Sequence, residues 1–308
     1  MRKVFTVATR GGELAIIQTE IVTDALKRIY PGIEFQILKV TTKGDRDRRT
    51  ALWSLKDSGF FTSQVEDALL AGQADFAVHS FKDLPTRQRP GIVIAAVCDR
   101  RFVEDCLVAT EAVGSIEQLP DSARIGTSSL RRVAQLKHLR PDLEVIPIRG
   151  NVKTRLRRLD KGEADAIILA RAGIERLGLG QKISFSFDPQ QFIPAPAQGA
   201  LTVQTRTDDV VTNGLVAAIN DKNARMTTFA ERQVLVTMRC GCHAPVGAFA
   251  RITGNNIEIY AFISDLKGRN FIKRQITGPA KESDKLAEQI ANELLSSGGK
   301  EILASLKE

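Results

Sequence analysis

The sequence is short of several residue types, and each shortage closes off a class of protein. Aromatic residues make up 6% of its 308 positions, with one tryptophan and two tyrosines. So few rings, with no basic run interleaved among them, argue against stacking platforms for nucleic acid. Four cysteines (Cys98, Cys106, Cys240, Cys242) in so long a chain do not make a disulfide framework. No stretch approaches the ~20 apolar residues that cross a bilayer. The opening Met1-Arg2-Lys3-Val4-Phe5-Thr6-Val7-Ala8-Thr9-Arg10 is charged too soon for a secretory leader, so a soluble cytoplasmic protein is expected. There is no fixed-period repeat and no low-complexity tract.

What is present is a globular composition, 43% hydrophobic and 26% charged, with length enough for two or three domains. Lys+Arg number 44 against 36 Asp+Glu, a formal charge of +8. Such an excess favours an anionic partner: nucleic acid, a membrane surface or a small polyacid. A basic but unspecialised surface explains the total equally well, so the positions of the arginines must decide.

Apolar periodicity predicts strands at 4–9, 76–80 and 92–97, an alternating one through Ile33, Phe35 and Ile37, and helices at 12–29 and 62–70, the second capped by Thr62. Residues 43–58 follow neither period and read as a long mobile loop. Alternation restarts near Asp105, with strands at 106–109, 124–125, 145–148 and 166–169 and helices at 130–139, 152–160 and 170–177. Two such blocks predict two α/β domains, each a parallel sheet covered on both faces, with a cleft between them. After about residue 222 come a helix through 229–236, hairpin-joined strands at 246–252, 257–263 and 270–276, and a last amphipathic helix ending at Gly298-Gly299. That is a small α+β domain. The expected division is 1–98 with 199–217, then 104–193, then 220–308.

The arginines fall where strands become helices. Ile125-Gly126-Thr127-Ser128-Ser129-Leu130-Arg131-Arg132 ends a strand in small residues and opens a helix, whose free N–H groups and hydroxyls form an anion site. Positive charge in that first turn opposes the helix dipole, a local conflict an anion would relieve. Ile148-Arg149-Gly150-Asn151-Val152-Lys153-Thr154-Arg155 repeats the arrangement, Leu169-Ala170-Arg171 through Arg176 follows a third strand, and Arg10 follows the first. Ligands of open α/β sheets bind beyond the carboxyl ends of the strands. Guanidinium forks match carboxylates there, so a multiply charged acid is the expected ligand.

In the same zone lies Ala77-Val78-His79-Ser80-Phe81-Lys82-Asp83-Leu84-Pro85. Alone, Asp83 reads as a turn-former or ion-pair partner. Among arginines, a lone carboxylate stays ionised and can stabilise a cation or move a proton. His79 reads as a buried core histidine. Near the third domain, Arg239-Cys240-Gly241-Cys242-His243 carries three potential metal ligands but no second pair at structural-zinc spacing, so no metal is expected. A nucleophilic thiol on a loop and a pair of small buried cysteines remain as alternatives.

In this order and spacing, five segments together resemble the porphobilinogen deaminase (hydroxymethylbilane synthase) family. They are His79-Ser80-Phe81-Lys82-Asp83-Leu84-Pro85, Gly126 through Arg132, Arg149-Gly150-Asn151-Val152, Pro194-Ala195-Pro196-Ala197-Gln198-Gly199-Ala200, and Gly241-Cys242 before Pro245. The resemblance implies two periplasmic-binding-protein-like domains and a third α+β domain. It implies that Cys242 carries a dipyrromethane cofactor, on which four porphobilinogen units are polymerised with loss of ammonia. Water then releases the linear tetrapyrrole hydroxymethylbilane.

Asp83, Lys82 and Arg10 match catalytic positions. Besides Cys242, the positions that match cofactor binding are Asp83, Lys82, Ser128, Ser129, Arg131, Arg132 and Gly150; those for substrate are Arg10, Arg100, Arg149, Arg155, Arg176 and Gln198. The implied partner is porphobilinogen with its linear oligomers, without nucleic acid or membrane, and the implied state is a monomer. The chemistry fits the charge pattern: each ring carries two carboxylates, which clustered guanidinium groups would neutralise. Loss of ammonia leaves an azafulvenium cation that an ionised Asp83 is placed to stabilise.

Five positions depart from the family pattern: Gly12 for a serine, Ser58 in place of a lid lysine, Lys153 at an often-small position, Ala197 for a common glycine, and Cys240 for the glycine before Gly-Cys. A non-catalytic polyacid-binding relative is the alternative reading; it predicts the arginines but no covalent pyrrole.

Overall fold

The structure is a computed structural model that describes residues 3–42, 62–241 and 244–306. The chain divides into two compact units, Met1–Arg101 with Gly199–Met226, and Phe102–Gln198 with Thr227–Glu308. The expected mobile loop at 43–58, including Ser58, and the expected anchor Cys242 lie outside the described residues.

The first unit is built on a five-stranded sheet. Its strands are β1 (Val4–Arg10), β2 (Glu34–Val40), β3 (Phe76–Ser80), β4 (Ile92–Cys98) and β10 (Leu201–Arg206), in the order β2-β1-β3-β10-β4. The first three run parallel, whereas β10 pairs antiparallel with both β3 and β4. Helix α1 (Glu13–Ile29) buries Val22 and Leu26 against Phe5, Val7 and Phe76, each fully buried apolar side chain contributing about 1.5–3 kcal/mol. Helix α2 (Ser63–Leu70) packs Val65 and Leu69 with Ala8 and Ala77. Thr62 precedes it, but its side chain makes no cap hydrogen bond.

The second unit holds two sheets. One has the order β7-β6-β8-β5-β9, from β5 (Asp105–Ala109), β6 (Arg124–Gly126), β7 (Glu144–Ile146), β8 (Ala166–Ala170) and β9 (Phe185–Ser186). Strand β6 is parallel to β7 and β8, while β5 runs antiparallel to β8. Both five-stranded sheets are therefore mixed, which corrects the expectation of parallel ones. In each, a strand arriving from distant sequence inserts in reverse, a pairing no local pattern encodes. The helices are α3 (Leu130–Leu139), α4 (Val152–Asp160) and α5 (Arg171–Arg176).

The other sheet is an antiparallel meander of β11 (Val246–Thr253), β12 (Asn256–Ser264) and β13 (Phe271–Pro279). Its apolar face, with Ala248, Ala250, Ile257 and Ile259, packs on Ile290 and Leu294 of α8 (Ser283–Leu294). Helices α6 (Val210–Ala217) and α7 (Lys222–Thr237) precede it in the chain. The chain does not stop helically at Gly298-Gly299 as expected: Gly298, at φ 113, makes a kink, and α9 (Lys300–Ser305) follows. Among the described residues, no helix is long and apolar enough to cross a membrane.

Candidate functional site

In the first unit, β1, β3 and β4 all run one way, so residues at their ends share an edge of the sheet. Arg10 is the last residue of β1, Arg100 lies two beyond β4, and Lys82 and Asp83 occupy the 3₁₀ turn Phe81–Asp83 after β3. Phe81 and Leu84 are fully buried on either side of the pair. The Phe81 N–H donates to the Ala200 carbonyl at 3.0 Å and that of Leu84 to the Phe81 carbonyl at 3.3 Å. Two apolar anchors thus hold the turn, leaving Lys82 half-buried and Asp83 exposed at its tip.

Next to this turn, the Ser80 hydroxyl accepts from Gln18 Nε2 at 2.8 Å and donates back to Gln18 Oε1 at 3.1 Å. Gln18 is buried in α1 beside Val22 and Leu26, and a polar side chain at the spacing of a helix's apolar face is the signal in the sequence for this contact. His79 is buried as expected. Burial, with the charge of Arg10 adding to it, lowers its pKa to about 4, so its imidazole is neutral at pH 7.

In the second unit, the strand–helix junctions after β6, β7 and β8 also lie on one sheet edge. The first two are tied together: Ser128 Oγ donates to the Ile148 carbonyl at 2.9 Å, and the Thr127 N–H donates to the Ile146 carbonyl at 2.9 Å. Ser129 stands at the N-cap of α3 without a side-chain cap bond. Asn151 caps α4, accepting from the Thr154 N–H at 2.8 Å. Gly150 turns the chain at φ 108, where a Cβ would meet Thr154 Cγ2 at 2.7 Å. Arg155 Nε donates to the carbonyl of Gly150 at 2.8 Å, which holds that guanidinium over the turn.

Arg131 and Arg132 are placed differently from open, two-pronged carboxylate forks. Both are buried. Arg131 spends Nη1 on the Ile193 carbonyl at 2.8 Å and Nη2 on Asp105 Oδ2 at 2.7 Å. Arg132 spends Nη1 on the Ile168 carbonyl at 2.9 Å and Nη2 on Asp105 Oδ1 at 2.8 Å. Gln198 Nε2 also donates to Asp105 Oδ1, at 2.9 Å, and to the Val103 carbonyl at 2.9 Å. Burial by itself raises the Asp105 pKa; the charges of Arg131 and then Arg132, with hydrogen bonds from Arg132 and Gln198, reverse this and hold it well below the usual carboxylate range.

Arg176 closes the six-residue α5, about 9 Å of helix beyond the end of β8. Arg171, at the junction itself, is committed to Glu104 at 2.8 Å and Glu175 at 2.9 Å.

Cys98 and Cys106 are buried, and burial, with Asp105 adding to it, pushes the Cys106 thiol up to about 12, so it stays a thiol. Cys240 is half-buried, its N–H on the Leu235 carbonyl at 3.1 Å, following Arg239 at φ 52. Among the described residues, no group of three His, Cys, Asp or Glu side chains is arranged to hold a metal.

The second-unit junctions fit a polyanionic cofactor. Arg132 Nε and Arg149 Nη1 are buried donors without a hydrogen-bond partner among the described residues. Unsatisfied buried donors are costly, and carboxylate oxygens complement them.

Comparison with known proteins follows the same line. The family profile described as "Porphobilinogen deaminase, dipyromethane cofactor binding domain" matches residues 5–213, and that of "Porphobilinogen deaminase, C-terminal domain" matches 226–296. A curated porphobilinogen deaminase of Roseiflexus castenholzii is 42% identical over 305 residues, covering 99% of this chain and 100% of its own. That of Desulforudis audaxviator is 41% identical over 307 residues, covering 100% of this chain and 99% of its own. Among solved structures, the methionine-binding protein MetQ aligns with 70% of this chain and 89% of its own, at 12% identity and a TM-score of 0.44.

Proposed function

Since the chain belongs to the porphobilinogen deaminase family, and so is a hydroxymethylbilane synthase with a dipyrromethane cofactor and porphobilinogen as substrate, we propose which residues do this work. Cys242 is the attachment point, carried by the third domain (220–308). The dipyrromethane supplies the pyrrole carbon to which incoming units are joined. Ser128, Ser129, Arg131, Arg132 and Gly150 bind its acidic side chains, and Arg149, Arg155, Arg176 and Gln198 those of the incoming unit. The observation that carries this assignment is the pair of buried donors, Arg132 Nε and Arg149 Nη1, without a hydrogen-bond partner among the described residues, at two strand–helix junctions of one sheet.

Lys82, Arg10 and Arg100 present cations around the exposed Asp83. Its carboxylate stabilises the azafulvenium left by departing ammonia and takes the proton shed by the pyrrole carbon after coupling. One proton acceptor then serves every addition. Charge complementarity explains the preference for rings bearing two carboxylates. The protein works as a cytoplasmic monomer.

Intact mass, measured before and after adding porphobilinogen, tests this reading. The parent protein is expected to exceed its sequence mass by two linked pyrrole units and to gain further units in steps. Cys242→Ala is expected to show no excess. An unloaded parent, or a loaded Cys242→Ala variant, would overturn the assignment of the anchor.

A further inference from the structure

Among the described residues of the second unit, Asp105 and Glu231 are acids at 0% exposure, and no motif or resemblance singled Asp105 out. Its place follows from topology. Strand β5 runs against β8, with Asp105 paired to Ala170, so the first residue of β5 lies on the edge where β6, β7 and β8 end. A carboxylate is thereby delivered to the edge that carries the arginine junctions. Three donors converge on it: Arg131 Nη2 at 2.7 Å, Arg132 Nη2 at 2.8 Å and Gln198 Nε2 at 2.9 Å. The carbonyls of Ile193 and Ile168 hold the remaining Nη of each guanidinium.

We propose that Asp105 is the positioning residue of the anion site: it fixes the Arg131 and Arg132 guanidiniums and the Gln198 amide, and through them sets where a pyrrole carboxylate binds. The proposal rests on the site assigned above. Two adjacent guanidiniums in a dry interior repel one another and retain rotamer freedom unless a fixed anion sits between them. With Asp105 in place the pair carries one net positive charge, which a single ligand carboxylate balances. The buried Arg132 Nε has no hydrogen-bond partner among the described residues, and its direction is fixed once Asp105 and Ile168 hold the other two nitrogens. A displacement of about 1 Å in such a group costs up to about 100-fold in a downstream step.

Two substitutions separate positioning from simple charge neutralisation. Asp105→Asn removes the charge and sets an amide N–H toward one of three donors. Asp105→Glu keeps the charge but moves the carboxylate by one methylene. Each variant is assayed for thermal unfolding, for the fraction carrying the two-pyrrole mass, and for KM and kcat toward porphobilinogen. Expected for Asp105→Asn are a lower Tm, a reduced loaded fraction and, in the loaded fraction, a KM raised about tenfold, with kcat within about threefold of the parent. In Asp105→Glu the Tm is expected to recover while KM and loading do not.

Should Asp105→Asn fail to fold, Asp105→Glu decides alone. Parental loading and KM in Asp105→Glu, or in a folded Asp105→Asn, would overturn the proposal and leave Asp105 a purely structural counter-ion. An unloaded parent protein would instead overturn the anchor assignment, so the two failures are distinguishable.

Discussion

Single residues carry both the chemistry and some strain. Asp83 has no neighbouring carboxylate within its turn and stands exposed between two buried anchors, so its substitution should alter charge without disturbing the fold. Asp83→Asn is expected to lower kcat by about 100-fold or more, with the primer mass and Tm unchanged; stopped-assay kinetics with intact mass check this. An unchanged kcat would remove Asp83 from the mechanism. Ala197 presents the opposite case, a residue at odds with its backbone. It is buried at φ 63, with its N–H on Glu231 Oε2 at 2.7 Å. A left-handed alanine costs about 1–2 kcal/mol relative to glycine, and glycine gives back about 0.4–1 kcal/mol through a freer unfolded chain. Ala197→Gly is therefore expected to raise stability by about 0.5–1 kcal/mol, read as a higher urea midpoint at constant m. The glycine that the resemblance implies at this position would have a physical reason, visible only once the φ is known.

At the level of elements, strand β3 and helices α3 and α4 were legible to the residue, because each has a clear period and a strong stop: Gly126 through Ser129 before α3, Gly150-Asn151 before α4. Strand β10 and helix α6 were not. Thr202, Gln204 and Thr205 are polar yet fully buried, with Gln204 Nε2 donating to Glu66 and Gln88 at 3.0 Å each, so the apolar alternation is limited to Leu201 and Val203 and is too short to mark a strand. The partner strands are more than 100 residues away in sequence for β4 and β3 alike, as with Thr202 Oγ1 donating to the Ala96 carbonyl. The same limit hid Asp105: arginines at strand ends stand out in a sequence, whereas an acid at a strand start joins them only through antiparallel pairing.

The β3–β10 pair also gives a pH prediction. His79 faces this interior with a pKa lowered from 6.5 to about 4, so the unfolded chain binds more protons between those values and stability falls as pH drops through that window. The loss is on the order of 3 kcal/mol, at about 1.4 kcal/mol per tenfold change in proton affinity. Urea midpoints from pH 7 to pH 4 should fall less steeply in His79→Gln than in the parent. Parallel curves would show that His79 is not the group being titrated.

For the molecule as a whole, the excess of 44 cations over 36 anions anticipated an anionic ligand, but not how the cations divide. Arg124, Arg140 and Arg171 are engaged by Asp165, Asp142 and Glu104, each within 2.8 Å, and Asp105 takes both Arg131 and Arg132. Internal pairing absorbs part of the positive charge among the described residues. Cations brought close together in a fold repel one another, and a bound polyacid relieves that repulsion. The parent protein, with four carboxylates on its two primer rings, should therefore melt higher than Cys242→Ala. That difference should shrink as salt rises from 0.1 to 1 M, because screening shortens the reach of the repulsion from about 10 Å to about 3 Å. Thermal unfolding of both proteins across that range checks it. A difference that persists undiminished at high salt would mean that the primer stabilises through packing, and that the arginine clusters are not its main counter-charge.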